Sequence, residues 1–199
     1  MTSDWYYVGS NKIHKTALIN WDVVEMGENN IIGAYTCIGT DAQSIRDKST
    51  GVISIGDNNI FRESVSVNMP TEWSKLTAIE DNCYLMINSN IAHDCYVESN
   101  CIISNNAAFG GHVYVMENTN IGYSVSIHQF QVIGSYCMLG MGSIVPKGAD
   151  IKCGTLWYGV PARFKKYNEV GLQRNGLAVE DMKGEDERRQ SIIEERSKY

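Results

Sequence analysis

Residues 79–115 read IEDNCYLMINSNIAHDCYVESNCIISNNAAFGGHVYV, and a large apolar residue returns at every sixth place. From Ile79 the series runs Leu85, Ile91, Val97, Ile103, Phe109 and Val115. It continues outward through Ile121, Ile127, Ile133, Leu139, Val145 and Ile151 to Trp157. With 43% of the chain apolar, fourteen consecutive matches arise by chance about once in 10⁵. Four places after each large residue stands a small one in almost every case, among them Cys83, Ser89, Cys95, Cys101, Ala107, Cys137 and Ser143.

A period of six is neither the helical period of about 3.6 nor the strand period of 2. It fits a parallel β-helix, in which each hexapeptide forms one side of a triangular coil. The large residue fills the interior, and the small one sits where two sides meet. Three hexapeptides make an 18-residue coil, and coils stack at the strand spacing of about 4.8 Å. The hexapeptide pattern marks the left-handed form, an exception to the right-handed crossover rule. The expected fold is all-β, a left-handed parallel β-helix over residues 1–161.

The N-terminal half keeps the rule with breaks. Ile13 and Ile19 are in phase, then Met26, Ile32 and Ile38, then Ile55, Phe61 and Val67. Residues 40–52 read as a loop ejected from the coil. Residues 68–76 read as a second loop or an irregular coil, since Trp73 falls in phase. After Pro161 the repeat stops. Residues 162–176 read as basic and irregular, within a C-terminal extension of 162–199. Its charged end, DERRQSIIEERSKY, predicts a short helix with a thin apolar face, packed on a neighbouring subunit, frayed, or replaced by a solvated tail.

Composition narrows the function. The chain has 199 residues, 20% of them charged, and a net charge of −6. No basic stripe precedes residue 163, so nucleic acid is not an expected partner. No run of about 18 apolar residues spans a membrane. The start, MTSDWYYVGS, lacks a basic stretch followed by an apolar run, so no signal peptide is expected. Six cysteines in such a chain are expected to be reduced thiols in the cytoplasm. Four of them occupy small interior slots, where a thiol behaves as a small hydrophobe.

Residues 18 apart stack. His93 lies under Gly111 and Gln129, Asp94 under His112 and Phe130, and Ala92 under Gly110 and His128. Three of the four histidines therefore share adjacent columns, all outside the interior slots and expected to point outward. One reading is general base catalysis. A histidine accepts a proton near neutral pH, a carboxylate orients its ring, and the Gly111 N–H faces a developing oxyanion. This suits direct acyl transfer from a thioester to a hydroxyl or amine, because the cysteines are expected inside. Zinc held by the histidines, as in a trimeric carbonic-anhydrase-like β-helix, is another reading, although no spacing fixes tetrahedral ligation. A non-catalytic trimeric scaffold is a third.

The runs LMINSNIAHDC (85–95), NNAAFGGHVYV (105–115), SIHQF (126–130) and GLQRNG (171–176) together resemble the UDP-N-acetylglucosamine O-acyltransferases that begin lipid A synthesis. The resemblance covers about residues 8–177. It implies a left-handed β-helical homotrimer that uses acyl carrier protein thioesters, with no cofactor beyond that co-substrate and no metal. It implies His93 as the base, Asp94 as its partner and Gly111 as the oxyanion donor. His112, His128 and Gln129 would line the sugar-nucleotide and acyl cleft, and Gln43 would lie near the sugar. Asn168 and Arg174 would hold the nucleotide, and Met141 would limit acyl length. The chain departs from the family pattern at Asn90, Ser44, Val170 and Asn175, and its C-terminal part is much shorter. Asn90, where the family has a second histidine, is kept with the substrate-binding set. The departures leave open a different nucleotide sugar, an amine acceptor, and coenzyme A in place of a carrier protein.

Overall fold

The computed structural model describes residues 4–197. Met1–Ser3 and Lys198–Tyr199, the ends of the leader and tail readings, lie outside the described residues. The chain winds as a triangular coil whose three walls are parallel sheets. One circuit runs Tyr84–Leu85 in wall 1, Asn90–Ile91 in wall 2, Tyr96–Val97 in wall 3, then Ile102–Ile103 back in wall 1. Leu85 pairs with Ile103 and Val97 with Val115, which is the 18-residue register. Most strands are two residues long because a corner follows at once. The second residue of each points inward: Leu85, Ile91, Val97, Ile103, Val115, Ile121, Ile133, Leu139 and Val145 are fully buried. Each such burial stabilises by about 1.5–3 kcal/mol. The small series completes the core, and Cys83, Cys95, Cys101, Ala107 and Cys137 are buried beside it. All six cysteines are unpaired thiols.

Two early coils are longer than the rest. Ile32 pairs with Phe61, and Phe61 with Leu85. The first excess is the loop between Cys37–Thr40 and Val52–Ile55, the second the loop between Ser66–Asn68 and Leu76–Ile79. The second segment is thus a loop and not an irregular coil. Trp73 is 48% exposed despite its phase. Both loops leave at the corner between walls 2 and 3, the corner that carries His93 and Asp94 one coil later.

The C-terminal extension corrects the sequence reading. Residues 162–176 are not irregular: Arg163–Tyr167 pairs antiparallel with Thr155–Tyr158 and closes wall 1. Helix α1, Glu169–Arg174, follows, capped by Asn168. Helix α2, Met182–Arg196, is neither frayed nor a solvated tail, and it packs on its own coil rather than requiring a neighbour. It buries only Met182 and Arg189. Polar contacts hold it: Arg188 pairs with buried Glu98, Arg189 with Asp150 at 2.9 Å, and Ser135 donates to Glu185 at 3.1 Å. A thin apolar face therefore suffices, because charged groups on wall 3 and its corners receive the helix. No described helix is long and apolar enough to cross a membrane.

Candidate active site

Each corner needs one residue in the left-handed backbone region. Asn82, Asn88, Asn100, Asn106 and Asn118 supply it at φ 56–62°, and Gly142, Gly148 and Gly154 do so higher in the stack. These residue types tolerate that conformation best. On the 2/3 corner the same position is held by Asp94 (φ 61°), His112 (φ 63°) and Phe130 (φ 62°) on successive coils. A bulky ring there is uncommon, and Tyr35 and Tyr136 place one in the same region on other corners.

Asp94 is not outward-facing, as the stacking expectation had it. Its side chain is fully buried beneath the second ejected loop. The Thr71 N–H donates to Oδ1 at 3.0 Å, the Thr71 hydroxyl to Oδ2 at 2.8 Å, and the Ser74 hydroxyl to Oδ1. Nδ1 of His93 lies 2.7 Å from Oδ2. Burial alone would raise the Asp94 pKa, but the bonds from His93, Ser74 and Thr71 outweigh it and hold the carboxyl well below the usual range. The His93 ring packs against Gly111. A Cβ at residue 111 would stand 2.4 Å from Cε1 and 2.6 Å from Nε2. The Asp94 contact fixes Nδ1 as the donor and leaves the lone pair on Nε2.

His112 is buried too, another departure from the outward expectation. It meets the His93 ring edge-on at 5.3 Å and stacks on Phe130 at 4.3 Å. Its Nε2 is 3.5 Å from Asp94 Oδ2. Burial pushes its pKa down, against the pull of Asp94. His93, Asp94 and His112 form the tight trio, with ligand atoms within 4.8 Å. His128 is not in it. It is exposed, and its Nδ1 contacts the Gln129 carbonyl at 3.0 Å. The zinc reading by three histidines is therefore not the arrangement formed. In the trio, both Asp94 oxygens already accept hydrogen bonds from Thr71, Ser74 and His93.

The other residues of the sequence reading are scattered. Gln129 is exposed beside His128, with its backbone against Gly110. Gln43 is exposed on the first loop. Asn90 donates to Ser66 at 2.8 Å and so braces wall 2 below that corner. Asn168 caps α1 and donates to the Tyr136 carbonyl at 2.9 Å. Together with Arg174 it lines a cavity of about 440 Å³ over wall 1, on a different wall from the His93 corner. Met141 is 75% exposed at the corner between walls 1 and 2. One chain thus holds His93, the Asn168–Arg174 pair and Met141 apart. Sequence reasoning missed Thr71, Ser74 and Arg196, which donate to the Asp94 corner, and a groove of about 520 Å³ between α2 and the coil, lined by Phe130, Val132, Lys147, Ile193 and Arg196. Polar residues in the second loop were the available signal for Thr71 and Ser74.

The hexapeptide coil and a corner histidine held by a buried carboxylate define the class, a hexapeptide-repeat transferase. A family profile described as "Bacterial transferase hexapeptide (six repeats)" matches residues 77–111. The chain belongs to the UDP-N-acetylglucosamine O-acyltransferase family. It is 30% identical to LpxA from Acinetobacter baumannii, covering 88% of this chain and 81% of that one, with a TM-score of 0.70. The UDP-N-acetylglucosamine acyltransferase from Bacteroides fragilis superposes with a TM-score of 0.82 at 29% identity, covering 90% of this chain and 69% of that one. A Synechocystis acyl-[acyl-carrier-protein]–UDP-N-acetylglucosamine O-acyltransferase is 35% identical over 159 residues, 79% of this chain. The chain spans 57% of that relative's length.

Proposed function

We propose that this chain is an acyltransferase that moves an acyl group from a thioester, on acyl carrier protein or coenzyme A, to a hydroxyl of a nucleotide-activated sugar such as UDP-N-acetylglucosamine, in lipid A biosynthesis. One observation carries the reading: Asp94 holds Nδ1 of His93 and leaves Nε2 open beside the Gly111 backbone. The acceptor hydroxyl gives its proton to Nε2 as its oxygen bonds to the thioester carbonyl carbon. The Gly111 N–H stabilises the charge that gathers on the carbonyl oxygen. The C–S bond then breaks, and the imidazolium returns the proton to the departing thiolate. The mechanism uses no enzyme thiol, and Cys95, next to Asp94 in the chain, is buried and pushed up to about 12. The mechanism calls on no cofactor and no metal.

In this reading Gln43, Asn90, His112, His128, Gln129, Asn168 and Arg174 serve the sugar nucleotide and acyl cleft, and the coil is the left-handed form, with 1–161 as its domain and 162–199 as the extension. The site is completed in a homotrimer. α1 covers part of wall 1 and α2 crosses wall 3, while wall 2 presents Ala108, Ser126 and Ile144 as an exposed face. A three-fold packing on that wall sets the His93 corner of one copy against the Met141 corner of the next, which restores the residues a single chain separates. The unpaired thiols accord with a cytoplasmic location. Transfer to an amine of a nucleotide amino sugar is the second reading, favoured by Asn90, whose amide is taken up by Ser66 where the family carries a second histidine.

The test is thioester consumption by the wild-type chain and by His93→Ala across nucleotide sugars and acyl lengths. Loss of a general base costs about 10² to 10⁴ in rate, with unchanged circular dichroism. Wild-type turnover in His93→Ala would remove the base assignment. A wild-type chain that consumes no thioester with any acceptor would leave the scaffold reading.

A further inference from the structure

The proposed chemistry uses His93, Asp94 and Gly111, and leaves the strained corner beneath them to be held by something else. Asp94 and His112 both sit in the left-handed region, one coil apart. Their carbonyls are reached from outside the stack by a single side chain. Nη2 of Arg196 donates to the Asp94 carbonyl at 3.1 Å and to the His112 carbonyl at 3.0 Å. The two N–H bonds of one guanidinium nitrogen diverge and reach acceptors about 5 Å apart, which is the rise of one coil. The same guanidinium lies 5.3 Å over the Tyr114 ring.

Arg196 is in the last turn of α2, and the rest of that helix is anchored elsewhere. Arg188 reaches Glu98, Arg189 reaches Asp150, and Asp186 accepts the Cys153 N–H at 2.9 Å. The helix is therefore tied down before it reaches the corner, and its final arginine arrives in a set place. Asn168 captures the left-handed Tyr136 carbonyl at 2.9 Å in the same way from α1, far from the proposed base. The Asp94–His112 pair differs in that the Asp94 side chain holds the proposed base, His93.

We propose that Arg196 is a positioning residue for the transfer reaction: it clamps the backbone of Asp94 and His112 on adjacent coils so that the Asp94 carboxylate stays on His93 Nδ1, which makes α2 part of the active-site frame. This rests on the acyltransferase reading. Removing the clamp takes the donor from the Asp94 carbonyl, while its N–H stays on Thr77 and every group that touches substrate remains.

The experiment compares the wild type, Arg196→Ala and Arg196→Lys. Two readouts are taken: kcat and KM in the thioester assay, and the low-field proton resonance of the imidazole N–H that faces Asp94. In Arg196→Ala the expected loss is about 10- to 100-fold in kcat, with KM for the acceptor changed less than about 2-fold and the low-field resonance shifted or broadened. Added guanidinium ion restores part of kcat, and Arg196→Lys, which keeps one donor group near the carbonyls, falls between. Wild-type kcat and an unmoved resonance in both variants would overturn the proposal. Equal losses in kcat and 1/KM with no guanidinium rescue would also overturn it, because general loosening and not positioning would then be the cause. If Arg196→Ala fails to fold, the Lys variant and its resonance carry the test. If the wild type itself transfers nothing, the acyltransferase reading fails, and the resonance still reports whether Arg196 holds the corner.

Discussion

Gly111 and His112 are where single side chains matter most. A methyl group at residue 111 would enter the space of the His93 ring at 2.4 Å. Gly111→Ala must therefore turn the imidazole off Asp94 or shift the coil. The expected outcome is a fall in kcat of about 10² or more, with a thermal midpoint close to wild type, read by steady-state kinetics beside calorimetry. His112 is a pH-sensitive element. Burial lowers its pKa, so as pH falls from about 6.5 the unfolded chain takes up the proton before the folded one does. The stability it lends is complete above that pH and is lost as pH falls through the folded value. Asp94 is also lowered, but it acts only as pH falls below about 3.9. Urea midpoints from pH 7 to pH 5 should drop less steeply in His112→Asn than in the wild type. Asparagine is the test residue because seven described positions, from Asn29 to Asn118, hold it in the same backbone region. Equal slopes would show that His112 does not titrate between the states.

Loops and helix converge on one corner, and this sets how the elements share the work. The first loop meets the second through Trp73, whose indole N–H donates to Asp47 at 3.1 Å. The second loop supplies three of the four hydrogen bonds to the Asp94 carboxylate. A charge-assisted bond of this kind contributes about 1.5–3 kcal/mol. Thr71→Val deletes the hydroxyl donor and keeps the shape, so the unfolding free energy should fall by about that amount, with kcat also lowered because Asp94 is less firmly aimed. Chemical denaturation and a turnover assay on the same variant check both. A loss of stability with kcat untouched would separate the loop from the chemistry. The site was partly legible at this scale. The stacking of His93, Asp94, Gly111 and His112 followed from counting by 18. The lid over Asp94 and the arginine beneath it did not, because their partners lie 20 to 102 residues away and no repeat relates them. A second six-residue signal, the Asn, Asp or Gly at many of the left-handed corners, was present in the sequence and explains why Asp94 can turn where it does.

At the level of the whole molecule the proposed assembly makes its own predictions. Light scattering should give three times the 22.2 kDa chain mass at micromolar concentration, and a stable monomer would sink the shared-site arrangement. Met141→Gly should widen the acyl groove supplied by the neighbouring copy and shift kcat/KM toward longer thioesters. Each added methylene in contact is worth about 0.8 kcal/mol. An unchanged length profile across a ladder of acyl thioesters would take Met141 out of the groove. What the chain determines by itself is its coil. A period of six repeated from Ile79 to Trp157 is local, each step needs only one large and one small residue, and the stack follows from burying them. Tertiary structure alone decided the rest. It turned Asp94 and His112 from outward residues into buried ones, because the second loop and α2 cover their corner. It put Asn168 with Arg174 on wall 1 and Met141 at another corner, because side-chain direction around a triangle depends on which wall a residue falls between. It also laid α2 on its own coil, since ion pairs such as Arg188–Glu98 join residues that nothing in the linear pattern links.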